Sequence, residues 1–139
     1  GVEIKVIVRG VCLLMPQTEN QKKNITMVSI LGRYLEHARV FIFGDKGQEK
    51  IWLGSADWMV RNLDFRIEVM APVYDEAVKK LLMRWIDLQL EPKSRARDLS
   101  PENLNAFIYP ALKDDCVDIQ TQWRKELEVW TKGFKFRKK

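Results

Sequence analysis

Histidine is nearly missing from this chain: His37 is the only one in 139 residues. The two cysteines, Cys12 and Cys116, stand far apart and in no motif. One histidine and two distant thiols give no zinc-ligand spacing, so no structural metal is expected, and the thiols point to a reducing, cytoplasmic setting. No apolar run reaches the roughly 18–20 residues that a membrane-spanning helix needs. Neither GxGxxG nor GxxxxGK with a following Ser or Thr occurs, which removes the two common glycine-rich phosphate loops. No cysteine–histidine or serine–histidine nucleophile signature is present. No secretory leader is expected either. The N-terminus opens straight into VEIKVIVR, which predicts a piece excised from a longer protein, with Gly1 expected to be left by a cloning site.

What is present reads as one globular domain, residues 1–139, with 46% hydrophobic and 10% aromatic residues. The net charge of +5 is concentrated at the end, in Lys132, Lys135, Arg137, Lys138 and Lys139. Without those five the chain balances at 19 basic and 19 acidic residues. A basic tail by itself reads first as a solvated end, so individual arginines must identify a partner.

Residues 2–9 alternate, with Val2, Ile4, Val6 and Val8 on one face, and predict a strand. Arg9 closes it, followed by the permissive Gly10. Ligands of α/β sheets collect beyond the carboxyl ends of strands, which suits Arg9 to reach one. The stretch 16–25, PQTENQKKNI, predicts an exposed loop, and 26–35 fits either strand or helix. His37 is expected to open a strand running to Phe43, with Arg39 two residues on and therefore on the same face. Gly44-Asp45-Lys46-Gly47 predicts a hairpin turn into a strand from Glu49 to Leu53. Gly54-Ser55-Ala56-Asp57 follows, then NLDFRIEVM (62–70), whose alternation predicts a further strand with Arg66 and Glu68 sharing a face. Charged residues there must pair with each other or meet a ligand.

A helix is expected from Asp75, its N-cap, to Pro92. Residues 93–112 read as mostly loop, with a basic cluster at Lys93, Arg95 and Arg97. A last helix, capped by Asp114 or Asp115, should end at Gly133. The tryptophans on both helices read as core.

His37, Arg39, Ser55, Asp57, Asn62, Arg66 and Glu68 thus fall on consecutive predicted strands and turns. Arginine suits phosphoryl oxygens because its planar fork bonds two at once and stays charged. Phosphoryl transfer needs mainly positioning and charge stabilisation, which such a set can supply.

The order His-x-basic, turn, Gly-Ser-x-Asp, Asn, Glu resembles the half-motif of the phospholipase D superfamily. In that motif histidine, lysine and aspartate precede Gly-Ser-x-Asn. Here Arg39 replaces the lysine, Asp45 comes one residue late and Asp57 stands where asparagine is usual; these departures argue against phosphodiester hydrolysis. The sequence is more similar to the polyphosphate kinase family, in its C-terminal, second phospholipase-D-like domain. VRGVC (8–12), SILGRYLEHARVFIF (29–43), GSADWMVRNLDFRIEV (54–69) and, more loosely, KSRARDL (93–99) carry that resemblance.

The resemblance implies an α/β fold, a mixed β-sheet flanked by helices forming one phospholipase-D-like half. It implies a domain that helps transfer the terminal phosphate of ATP reversibly to inorganic polyphosphate. His37 is the implied catalytic residue, and Arg9, His37 and Arg66 the implied phosphate-binding set, with Arg39, Ser55, Asp57, Asn62 and Glu68 in support. The phosphorylated histidine would belong to the preceding domain. ATP and ADP are the implied nucleotides, and Mg2+ is expected for the full-length enzyme without a ligand set in this chain. The remaining domains of the same enzyme are partners, within a cytoplasmic homo-oligomer that can also associate peripherally with membranes. Two other readings stay open: a phosphodiesterase half-site that dimerises, and a non-catalytic polyanion-binding module.

Overall fold

The computed structural model describes residues 1–10, 12–15, 18–44, 47–103, 106–109 and 116–133. The chain divides into two compact units, one formed by Gly1–Glu36 with Trp85–Lys139 and the other by His37–Arg84.

The first unit is built on β1 (Ile4–Val8) and β2 (Ile25–Ile30), which pair in parallel from Ile4 opposite Ile25 to Val8 opposite Ser29. Parallel neighbours need a crossover. Here it contains a short helix, α1 (Glu19–Asn24), inside the stretch expected to be loop. The reason is local: Thr18 Oγ1 accepts the Gln21 N–H at 3.2 Å while Gln21 Oε1 accepts the Thr18 N–H at 3.0 Å, a reciprocal cap. The undecided stretch after it is strand β2. Later in the chain, β6 (Ala96–Asp98) joins β2 antiparallel, with Arg97 opposite Ser29. Met27, Val28, Ala96, Leu88 and Ile119 are buried. Leu88 lies on α3 (Glu76–Leu90), which crosses the unit boundary in sequence, and Ile119 opens α4 (Ile119–Gly133). The Trp85 and Trp123 rings meet at 6.4 Å, half-buried rather than fully enclosed.

Helix α3 is capped as expected, Asp75 Oδ1 accepting the Ala77 and Val78 N–H groups at 2.9 Å each. Helix α4 is capped instead by Asp118, whose Oδ1 accepts the Thr121 N–H at 3.1 Å. Asp114 and Asp115, expected in that role, lie outside the described residues.

The second unit is an antiparallel meander of β3 (Val40–Phe43), β4 (Lys50–Gly54) and β5 (Met70–Val73), in that order. Ile51 is its buried centre. The expected β3–β4 hairpin forms, although Asp45 and Lys46 of its turn lie outside the described residues. A strand over 62–70 does not form. Asn62 belongs to the short helix α2 (Val60–Leu63), and pairing begins only at Met70. The chain is mixed α/β, and its strands form two three-stranded sheets. Among the described residues no helix is long and apolar enough to cross a membrane.

Candidate functional site

Gly54 ends β4 against Phe41: a Cβ there would lie 2.9 Å from the Phe41 ring. The close approach lets the Gly54 N–H donate to the Arg39 carbonyl at 2.9 Å, which fixes the start of the β3–β4 ladder. Ahead of that bond the chain is not strand. His37 lies three residues before β3 and is exposed, so the expectation that it opens the strand is corrected. The pairing with Arg39 survives by another route. Arg39 Nε donates to Asp57 Oδ1 at 2.9 Å, with the two side chains only 16% and 24% exposed. Arg39 Nη1 then stands 3.1 Å from His37 Nδ1 and 3.3 Å from Nε2, and donates to the His37 carbonyl at 3.1 Å. A donor nearly equidistant from both ring nitrogens cannot lie in the ring plane, where it would strike Cε1 between them. The guanidinium therefore rests on the imidazole face. The ring is braced from one side, and neither nitrogen has an in-plane partner among the described residues.

A second cluster is centred on Glu68. One carboxylate oxygen accepts from Ser55 Oγ and the other from Asn62 Nδ2 at 2.8 Å, with Arg66 Nε 3.5 Å away. Ser55 also accepts the Val69 N–H at 2.9 Å and donates its own N–H to the Val69 carbonyl at 3.0 Å. Asn62 is 1% exposed and its Oδ1 has no partner among the described residues. These bonds tie 62–69 into a closed loop in place of a strand, and turn Phe65 (80% exposed) and Ile67 (98%) outward. The Asn62 amide, then the Ser55 hydroxyl, hold the Glu68 carboxyl below its ordinary 4.5. Desolvation opposes them, and the charges of Arg66 and Arg39 add to the lowering. Arg66, at 61% exposure, is thus a cation steered at one edge and open to solvent.

Seven of the eight residues singled out in the sequence therefore lie in the second unit, bonded as two small networks. Arg9 belongs to the first unit, half-buried just past β1. Two side chains were not anticipated. Trp58, beside Asp57, stacks on Phe41 at 5.9 Å while staying largely exposed; its place at the tip of Gly-Ser-Ala-Asp-Trp was the available signal. Gln120 takes both backbone groups of Tyr34, donating at 2.6 Å and accepting at 2.8 Å, and donates to Glu36 at 2.7 Å. A lone glutamine 86 residues away carries no signal for that. Among the described residues no three His, Cys, Asp or Glu side chains converge to hold a metal ion.

Fold and site together define a mixed α/β chain whose second unit presents an imidazole braced by Arg39 together with the exposed Arg66, groups suited to oxyanions. Residues 1–120 match the family described as polyphosphate kinase C-terminal domain 2. Curated polyphosphate kinases agree. The one from Salmonella typhimurium is 44% identical over 108 residues, covering 78% of this chain and 16% of that protein. The one from Parasynechococcus marenigrum is 37% identical over 133 residues, covering 96% and 18%. The crystal structure of polyphosphate kinase from Porphyromonas gingivalis superposes with a TM-score of 0.83 at 32% identity, covering 96% of this chain and 20% of that one. The chain belongs to the polyphosphate kinase C-terminal domain family, and it spans a fifth or less of the length of these relatives.

Proposed function

We propose that this chain works as the C-terminal part of a polyphosphate kinase, assisting reversible transfer of the terminal phosphate of ATP to inorganic polyphosphate. The observation that carries the reading is the imidazole of His37, braced on its face by Arg39 and Asp57 with its nitrogens open to a ligand. In the forward direction the bond between the γ-phosphorus and its bridging oxygen breaks, ADP leaves, and a histidine outside this chain receives the phosphoryl group. That group then passes to the terminal oxygen of the polyphosphate. The transferring group spreads charge over three oxygens, which favours fixed cations and hydrogen-bond donors over any covalent role for this chain. Arg66 and Arg9 supply cations. His37 supplies a ring N–H, as proton donor or as charge stabiliser. Glu68 keeps Arg66 aimed, and Asp57 keeps Arg39 against the ring. The parent enzyme is read as a cytoplasmic homo-oligomer, in keeping with two free cysteines. In this reading the domain is one phospholipase-D-like half whose chemistry has moved from diester hydrolysis to phosphate transfer.

Labelling tests the reading. Full-length enzyme exposed to ATP labelled at the γ-phosphate should carry label on a histidine outside these 139 residues, and the isolated chain should make no polyphosphate. Label on His37, or synthesis by the isolated chain, would overturn it.

A further inference from the structure

The basic cluster at residues 93–97 has no role in the site described above. Arg95 and Arg97 are half-buried, and the Nε of each is shielded from solvent with no hydrogen-bond partner among the described residues. No carboxylate among the described residues forms an ion pair with either guanidinium. The neighbouring Asp98 is committed elsewhere, accepting from the Ser100 N–H at 2.8 Å and from Asn103 Nδ2 at 3.2 Å. Partly buried charge without a counter-charge is costly, and proteins keep it where a ligand of opposite sign completes it.

The two arginines share a face. The β2–β6 ladder continues past its strand bounds, the Leu31 N–H donating to the Arg95 carbonyl at 3.1 Å and the Leu99 N–H to the Met27 carbonyl at 3.1 Å. Positions 95 and 97 therefore stand at alternate places of one register. Arg97 lies in a row with Val8, Ser29 and Phe107 across the sheet. Because β6 runs antiparallel to β2, Arg95 sits beyond the carboxyl ends of the parallel strands, the end from which Arg9 also leaves β1. Aromatic rings line the same segment. Phe107 lies 5.1 Å beneath the Arg97 guanidinium, and Tyr109 lies 5.9 Å beneath the Lys93 ammonium. A ring under a guanidinium holds its plane without neutralising its charge, which leaves the N–H fork for an anion.

We propose that Arg95 and Arg97 form a second anion-binding site of this domain, which takes successive phosphates of a linear polyphosphate chain at the carboxyl end of the β1–β2–β6 sheet. The inference rests on the polyphosphate kinase reading and deepens it. It gives the chain substrate, as distinct from ATP, its own contacts.

In full-length enzyme, the pair R95Q/R97Q should weaken binding of long-chain polyphosphate about tenfold or more at low salt. It should also flatten the salt dependence of that affinity by about one to two in log–log slope, while KM for ATP stays within about twofold. The charge-preserving pair R95K/R97K should keep most of the salt slope and part of the affinity. Without polyphosphate, R95Q/R97Q should keep the thermal stability of the parent, since no carboxylate among the described residues pairs with either guanidinium. Unchanged polyphosphate affinity and slope would overturn the site. So would a stability loss matched by equal losses for ATP and polyphosphate, because the arginines would then serve packing only. The underlying reading fails separately: it falls if R9A and R66A leave polyphosphate synthesis intact, whatever R95Q/R97Q does.

Discussion

At the residue scale the proposed chemistry depends on how one arginine is shared. Arg39 commits Nε to Asp57 and lays Nη1 across His37, two tasks that need a planar, permanently charged group. Lysine at this position keeps the charge and loses the plane. R39K in the full-length enzyme should lower kcat about ten- to a hundredfold with little change in KM for ATP; equal damage to both would mean that Arg39 binds nucleotide rather than bracing the ring. Glu68 makes a pH prediction. Its carboxyl is held below the ordinary value in the folded protein, so the stabilisation it gives is complete above that value and fades as pH falls from about 4.5 through the lowered one. The stability difference between parent and E68Q should therefore shrink between about pH 6 and pH 3. A difference that stays constant over that range would contradict the network. The identity of these residues was readable in the sequence, because His-x-Arg and Gly-Ser-x-Asp are local patterns. The stacking of Arg39 on the ring was not, since two residues on a strand predict a shared face but not a side chain folded back over its neighbour.

At the element scale, period-two alternation misled at one place. Phe65, Ile67 and Val69 alternate with polar residues as a half-buried strand should, yet all three are exposed. Alternation says that a segment can form a strand. Pairing needs a partner, and β4 is instead paired with Met70–Val73. The polar bonds of Ser55, Asn62 and Glu68 close the intervening loop, and those bonds span 6 to 14 residues, beyond what a periodicity window sees. Helix α1 failed to register for the opposite reason: six polar residues offer no apolar stripe, and only the Thr18–Gln21 cap marks it. The stretch leading to His37 is held by Gln120 of α4. A Cβ on Gly32 would overlap the Gln120 amide, so G32A and Q120A break the same three hydrogen bonds. Each variant should cost about 1 kcal/mol, and the double variant no more than the worse single one. Additive losses in denaturant unfolding would show that Gln120 and Gly32 act independently.

At the scale of the whole molecule, the class was legible and the division was not. Strands and helices in the right proportion gave a mixed α/β chain. That the strands split into two sheets, in units meeting in sequence at Glu36 and Trp85, follows from non-local pairing that no segment announces. Net charge was equally uninformative: the basic tail from residue 134 lies outside the described residues, while the cations of the site and of the β6 segment are scattered through a body of balanced charge. In the proposed function, the open imidazole of His37 serves a reaction whose phosphorylated histidine lies outside this chain. The most direct test of that claim is the rate of ATP-driven polyphosphate synthesis by full-length enzyme carrying H37A. We expect a fall of about a hundredfold or more with the thermal midpoint unchanged. Synthesis at the parental rate would contradict the account.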